Sequence, residues 1–139
     1  QSAAEMLEIA TPSAKSIAAM KRANEIARNG EVRLRTGARR PIGSGDAGLV
    51  EELLSPDLTD DFEMVHSTFK PHSRIGEEVT RPTQEVGYLI SGKLDLVISG
   101  ARFTIHPGDS FRIRGEPFEW INPYDDPAVA IWVIAPPVY

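Results

Sequence analysis

The sequence predicts an all-β sandwich or barrel preceded by an α-helical arm, and three observations lead there. Beyond Gly30 the chain is a succession of short alternating or apolar runs, each ended by Gly, Pro, Asn or Asp, with no helical pattern between them. Before Gly30 a single stretch, residues 14–29, repeats its apolar residues every three or four positions. The 139 residues are 41% hydrophobic with no cysteine, so one core must hold the chain without disulfides. At this length folding withdraws roughly two thirds of the unfolded surface from water, which is enough.

In chain order, a short helix around Ala3–Ile9 is the first candidate. Thr11 then suits a helix N-cap with Pro12 in the first turn, and Gly30 after Asn29 suits the stop. Between them Ile17, Met20, Ala23, Ile26 and Ala27 form a thin apolar stripe, with Lys15, Lys21, Arg22 and Arg28 mostly between its members. Candidate strands follow at Val32–Leu34, Leu49–Leu54, Phe62–Phe69, Glu85–Ile90, Leu94–Ile98, Arg102–Ile105, Ser110–Ile113, Phe118–Ile121 and Val129–Ile134. Turn signals separate them at Ser91-Gly92, Ser99-Gly100, Pro107-Gly108-Asp109 and Asn122-Pro123, where Asp109 reads as a turn-closing side chain and Asn122 as a strand end. Parallel strands would need intervening helices, so an antiparallel architecture is expected. Arg39–Gly45 reads as the connector, which divides the chain into an arm with connector over residues 1–40 and a β domain over residues 41–139.

Charge divides the same way. Residues 1–40 carry a net +4 and the remaining 99 a net −9, giving −5 for the chain. A basic arm can hold nucleic acid by releasing phosphate counterions, or it can be a solvated helix face resting on the acidic body. One helix is not a helix-turn-helix, so nucleic-acid reading by this chain alone is not expected. No apolar run approaches the roughly 18–20 residues that cross a bilayer, and the N-terminus lacks a charged-then-apolar signal pattern; a cytoplasmic protein with no membrane partner is expected. The absence of cysteine excludes thiolate metal sites and cysteine nucleophiles. No Ser-His-Asp order or phosphate loop stands out, so no catalytic residue is assigned.

From Val50 to Tyr139 the chain resembles a small cupin, the jelly-roll or double-stranded β-helix family. Glu85-Val86-Gly87-Tyr88-Leu89-Ile90-Ser91-Gly92 matches the end of the first cupin motif, a glutamate and a glycine separated by six residues. The second motif is matched from Gly100 through His106-Pro107-Gly108-Asp109-Ser110-Phe111 to Gly115, Phe118 and Asn122. The closing stretch Asp126–Ile134 is similar to the family's last strand. Leu53-Leu54-Ser55-Pro56 and Ala135-Pro136-Pro137 resemble the cupin sensor domains that follow a helix-turn-helix in some bacterial repressors. The resemblance implies a cupin jelly roll around a tapering cup, with alternate residues of each strand facing inward.

The resemblance also implies where a metal would sit, because metal-dependent cupins use two histidines, the motif glutamate and a further histidine. Those positions are Val79, Arg81, Glu85 and Phe118 here, so only the glutamate is kept. One carboxylate beside an arginine is a poor cation site, and no metal or other cofactor is expected. His66 is read either as facing the cup from a neighbouring strand or as a core or rim histidine. The expected ligand-binding residues are Arg81, Glu85, Phe118, Trp120, His66 and Leu89, with Gln84 or Thr83 as further polar members. A guanidinium in a partly dry, aromatic-walled cup suits a carboxylate-like small molecule. The alternative for Arg81 and Glu85 is an internal ion pair joined to nothing else.

Three functions stay open. The chain is a non-metal cupin binding an anionic metabolite, with a sensor or regulatory role; or an isomerase, lyase or hydrolase using Glu85 or His66 as acid or base, or a residual metal site; or a protein with a filled cup that works through its surface. On the strand carrying Glu85, the alternate residues Val86, Tyr88 and Ile90 give an apolar outward face, which calls for a cover by the arm or by a second copy; a homodimer is expected.

Overall fold

A computed structural model describes residues 13–18, 20, 32–43 and 46–138. Residues 14–18 are helical, as the periodicity predicts. Ser13 opens the turn: its Oγ accepts the Ser16 N–H at 3.1 Å, and its carbonyl accepts the Ile17 N–H at 2.9 Å. Ser13 thus acts as a cap, since its side chain reaches an otherwise unpaired first-turn donor. Thr11, Pro12, the Ala3–Ile9 candidate, Gly30 and most of the 14–29 stretch lie outside the described residues. No helix among the described residues is long and apolar enough to cross a membrane.

Two antiparallel sheets follow. Strands β1 (Arg40–Ile42), β2 (Leu49–Leu53), β3 (Glu63–Phe69), β5 (Gln84–Ser91), β8 (Ser110–Arg114) and β10 (Ala128–Ala135) make a six-stranded sheet in the order β1-β2-β3-β10-β5-β8. Strands β4 (Ser73–Arg74), β6 (Leu94–Ile98), β7 (Ala101–Ile105) and β9 (Phe118–Asn122) make a four-stranded sheet in the order β4-β9-β6-β7. This is the jelly roll the sequence predicts.

Two expectations need correction. Val32–Leu34 is a turn and coil, whereas extended pairing begins inside the supposed connector, where Arg40–Ile42 pairs with Glu51–Leu53. Pro41 is tolerated there because β1 is a sheet edge and one side of its backbone needs no partner. Strand β4 is new; it spans two polar residues, Ser73 opposite Asn122 and Arg74 opposite Ile121, with no apolar alternation to announce it.

Alternation decides which side chains make the core. Val65 and Phe69 on β3, Leu89 on β5, Ala130, Trp132 and Ile134 on β10, Leu94 and Leu96 on β6, and Phe118 and Trp120 on β9 are buried between the sheets. Val86, Tyr88 and Ile90 stand about half exposed on the other face of β5. Gly87 is in the middle of that strand because a Cβ there would fall inside the Phe111 ring, and Gly87 is the cross-strand partner of both Phe111 and Trp132. The missing side chain lets Phe111 lie edge-on against Trp132, with ring centroids 5.0 Å apart. Turn chemistry holds the ends: Asp109 Oδ2 accepts the His106 N–H at 2.8 Å, and Asn122 Nδ2 donates to the carbonyls of Phe69 and Asp126 at 3.1 and 3.0 Å.

Candidate functional site

The sheets enclose a cavity of about 40 Å³ lined by Leu49, Glu51, Phe69, Ile75, Arg81, Glu85, Phe118, Trp120, Trp132 and Ile134. Glu85 enters from β5, where it precedes Val86 and pairs across the strand with Ile134 and Ile113. Arg81 belongs to the approach to that strand. Val79, just before it, exchanges two backbone hydrogen bonds of 2.8 Å with Phe118. This isolated bridge ties the segment to β9 and brings positions 79, 81, 85 and 118, distant in sequence, to one end of the cup.

Arg81 Nη1 stands 3.6 Å from Glu85 Oε1, and the guanidinium carbon lies 5.7 Å from the centre of the Phe118 ring. Glu85 is 2% exposed. Its other oxygen, Oε2, accepts the Thr83 hydroxyl at 3.0 Å. Burial pushes the Glu85 carboxyl above the usual range; Arg81 and the Thr83 hydrogen bond pull it down, while the neighbouring Glu51 and Glu63 push it up, and the net direction is upward. The side chain of Arg81 is about one third exposed, so the cation forms the edge of the cavity and the carboxyl its floor.

Of the six residues expected at the site, the structure brings Arg81, Glu85, Phe118 and Trp120 together around the cavity. His66 is elsewhere. Strand β3 buries Glu63, Val65, Ser67 and Phe69, and His66 between them stands on the opposite face beside its cross-strand neighbours Glu52 and Ile131. A two-residue period cannot put both Val65 and His66 inside, so His66 does not face the cup. Leu89 is fully buried but does not line the cavity. Its backbone bonds with Gly108 and Asp109 at 2.9 and 3.0 Å, which places it at the turn beyond Gly87.

Other lining residues escaped the sequence reading. Glu51 reaches the cavity from β2 and accepts the Ser67 hydroxyl at 2.9 Å; the alternation Leu49, Glu51, Leu53 in that strand was the signal for it. Trp132 packs edge-on against Phe111 and also lines the cavity. Both Trp120 Nε1 and Trp132 Nε1 are buried with no hydrogen-bond acceptor among the described residues.

A metal does not fit this donor set. At the four family positions a cation would meet two hydrocarbon side chains, one carboxyl and a guanidinium already 3.6 Å from that carboxyl. Among the described residues no group of three or more His, Cys, Asp or Glu could hold an ion.

Comparison with known proteins agrees with the architecture. An RmlC-like cupin from Shewanella frigidimarina is 17% identical, with a TM-score of 0.66 over 76% of this chain and 91% of that one. The Cupin_2 domain of an XRE family transcriptional regulator from Enterobacter cloacae is 26% identical, with a TM-score of 0.57 over 65% of this chain and 98% of that one. A sugar phosphate isomerase of the cupin superfamily from Silicibacter pomeroyi is 20% identical, with a TM-score of 0.57 over 70% of this chain and 69% of that one. No curated protein matches by sequence. The family model described as the cupin domain matches residues 65–134. With that match spanning half of the sequence, and with the jelly roll and both motifs in place, the chain belongs to the cupin domain family.

Proposed function

We propose that this cupin binds a small carboxylate-like anion in its barrel without a metal, through Arg81. The observation that carries this reading is the guanidinium at the cavity edge, 3.6 Å from Glu85 and 5.7 Å from the Phe118 ring centre. That separation exceeds a hydrogen bond, so the donor fork of Arg81 is available to a carboxylate in the bidentate geometry that suits it. Phe118, Trp120, Phe69 and Ile75 supply the apolar walls. Residues 41–139 are the binding unit, residues 1–40 its arm, and the protein works in the cytoplasm as a sensor or regulatory module. The similarity to the cupin domain of an XRE family regulator supports the regulatory part.

The test is thermal denaturation with a panel of carboxylates. Wild-type protein is expected to gain melting temperature with at least one of them, and Arg81→Ala to gain none. Equal gains in both proteins remove Arg81 from the role.

A second reading is favoured by one observation, the raised Glu85 carboxyl in a cavity that also holds Glu51. A buried carboxyl whose pKa is raised holds its proton more firmly than a free one and can act as a general acid, which suits an isomerase, lyase or hydrolase. Turnover abolished by Glu85→Gln would select that reading over pure binding.

The outward face of the six-stranded sheet supports a homodimer. Met64, Val133 and Val86 form one cross-strand row ending at Arg112, and His66, Ile131 and Tyr88 form the next, beginning at Glu52. A two-fold axis running along the strands would set the acidic edge of each copy against the basic edge of the other, with the apolar rows between.

A further inference from the structure

Three charged side chains line the cavity, the guanidinium of Arg81 and the carboxyls of Glu51 and Glu85. They are not equally placed. The Arg81 side chain is 34% exposed and Glu51 is partly exposed, whereas Glu85 is 2% exposed and has Ile113 and Ile134 as its neighbours across the sheet. Water therefore reaches Arg81 and Glu51 and is kept from Glu85.

A buried carboxylate depends on its neighbours to stay ionised. Thr83 donates its hydroxyl to Glu85 Oε2 at 3.0 Å, and Arg81 stands 3.6 Å from Oε1. Two further charges act on it, Glu51 from β2 and Glu63 from β3, and both are of its own sign. Glu51 receives the Ser67 hydroxyl at 2.9 Å and Glu63 the Val138 N–H at 2.6 Å, so each has a hydrogen bond that favours its ionised form. The positive charge of Arg81 is thus what offsets the burial of Glu85, and it is the same charge that an anion in the cup engages. A carboxylate seated on Arg81 sets a second negative charge against that one cation. Two carboxylates sharing a site do not both stay ionised, and one of them takes a proton. The ligand's group, at the exposed edge, is the better solvated of the two, so Glu85 is the one that yields.

Resting on the anion-binding reading above, we infer that a carboxylate binds at Arg81 together with one proton from solvent, which settles on Glu85. Charge then balances. With Glu85 ionised beforehand, Arg81 and Glu85 sum to zero; afterwards Arg81, the neutral Glu85 and the bound carboxylate also sum to zero. Oε1 takes the proton, since Thr83 already occupies Oε2. What the cup holds is in sum an undissociated carboxylic acid, and a fall in pH tightens its grip. The upward direction of the Glu85 titration agrees, because burial has begun what the ligand completes.

The probes are formate and pyruvate, which bear no amine and stay ionised from about pH 5.5 to about pH 8, the range over which the full chain is titrated calorimetrically. Repeating each titration in two buffers of different ionisation enthalpy counts the protons taken up. Uptake approaching one proton per ligand is expected, with affinity falling by up to about tenfold per pH unit between the ligand-free and ligand-bound titrations of Glu85. Histidine is the side chain that ordinarily titrates in this range, and none of the three lines the cavity. Glu85→Gln is expected to bind with neither uptake nor slope, and Glu51→Gln to keep both. Binding through Arg81 without proton uptake overturns the inference and leaves the anion-binding reading standing. Uptake that survives in Glu85→Gln, or that Glu51→Gln removes, also overturns it. If neither probe binds wild-type protein the inference falls, and the wider carboxylate panel then decides the anion-binding reading. Should Glu85→Gln not fold, the carbon-13 carboxyl resonance of Glu85 in wild-type protein decides: it is expected to move toward its protonated position as pyruvate is added at fixed pH, and a resonance that stays in place overturns the inference.

Discussion

The Arg81 guanidinium stands beside the buried Glu85 carboxyl, its Nη1 atom 3.6 Å from Oε1. The cup thus carries its own cation. Arg81→Ala leaves Glu85 buried without that partner, and the double variant Arg81→Ala/Glu85→Gln removes the problem. The single variant is expected to melt lower than wild type and the double variant to recover part of the loss, with a coupling energy of about 1 kcal/mol in a double-mutant cycle of denaturation free energies. A coupling of zero would mean that the pair is a coincidence of packing.

Glu85 sets the sign of one pH dependence. Its folded-state pKa lies above the free value of 4.5, so folding favours the protonated form. Its contribution to stability is full below the unfolded value and is lost as pH rises through the raised folded value. Glu85→Gln abolishes that loss. The variant is expected to gain on wild type as pH rises from acid toward neutral, read as the difference between their melting temperatures along the series.

Asp95 carries the opposite sign. Its burial pushes the carboxyl up, but the hydrogen bonds from Tyr124, Arg102 and Thr104 outweigh that and hold it below the usual range. Tyr124 Oη donates to Oδ1 at 2.7 Å, and Arg102 donates to Oδ2 from Nε and Nη2 at 2.9 and 2.7 Å. The stability it supplies is present above the unfolded pKa and lost as pH falls through the folded one. Asp95→Asn is expected to cost about 2 kcal/mol at neutral pH, from urea denaturation, and progressively less in acid.

Gly87→Ala tests the support of Trp132. The added methyl must displace the Phe111 ring, an overpacking expected to cost about 1–3 kcal/mol and to alter the tryptophan emission. Gly37→Ala is the control, because a Cβ at Gly37 meets nothing within 4 Å. Its melt and emission are expected to match wild type.

The apolar rows on the six-stranded sheet make a prediction about assembly. Light scattering on the eluting protein is expected to give twice the 15.3 kDa chain mass, and Tyr88→Glu, at a position half exposed in the single chain, to give the monomer with an unchanged fold by circular dichroism. A wild-type monomer at high concentration would refute the pairing.

Much of this molecule could be read from residue order alone. Period-two alternation separated Glu85, Gly87 and Leu89 from Val86, Tyr88 and Ile90, because a strand has only two faces and burial of one dictates the other. Spacing located Gly92, whose positive φ of 75° and contact with the Pro127 carbonyl leave no room for a side chain. The same local rules failed where pairing is not local. Strands β1 and β4 are too short and too polar to announce themselves, and exist because β2 and β9 offer them open edges.

The composition and order of the residues by themselves determined an antiparallel β architecture, since turn chemistry and alternation act over a few residues, and the resemblance to the cupin motifs is what implied that Glu85 and Arg81 belong to its cup. Only the tertiary structure decided that Glu51 and Trp132 share the cavity with Arg81, that His66 is turned away, and that the two indole nitrogens are buried with no partner among the described residues. Those facts depend on which strands cross the cup at the same height. That is set by hydrogen-bond register between segments as far apart as Val79 and Phe118, a relation that no short window of sequence contains.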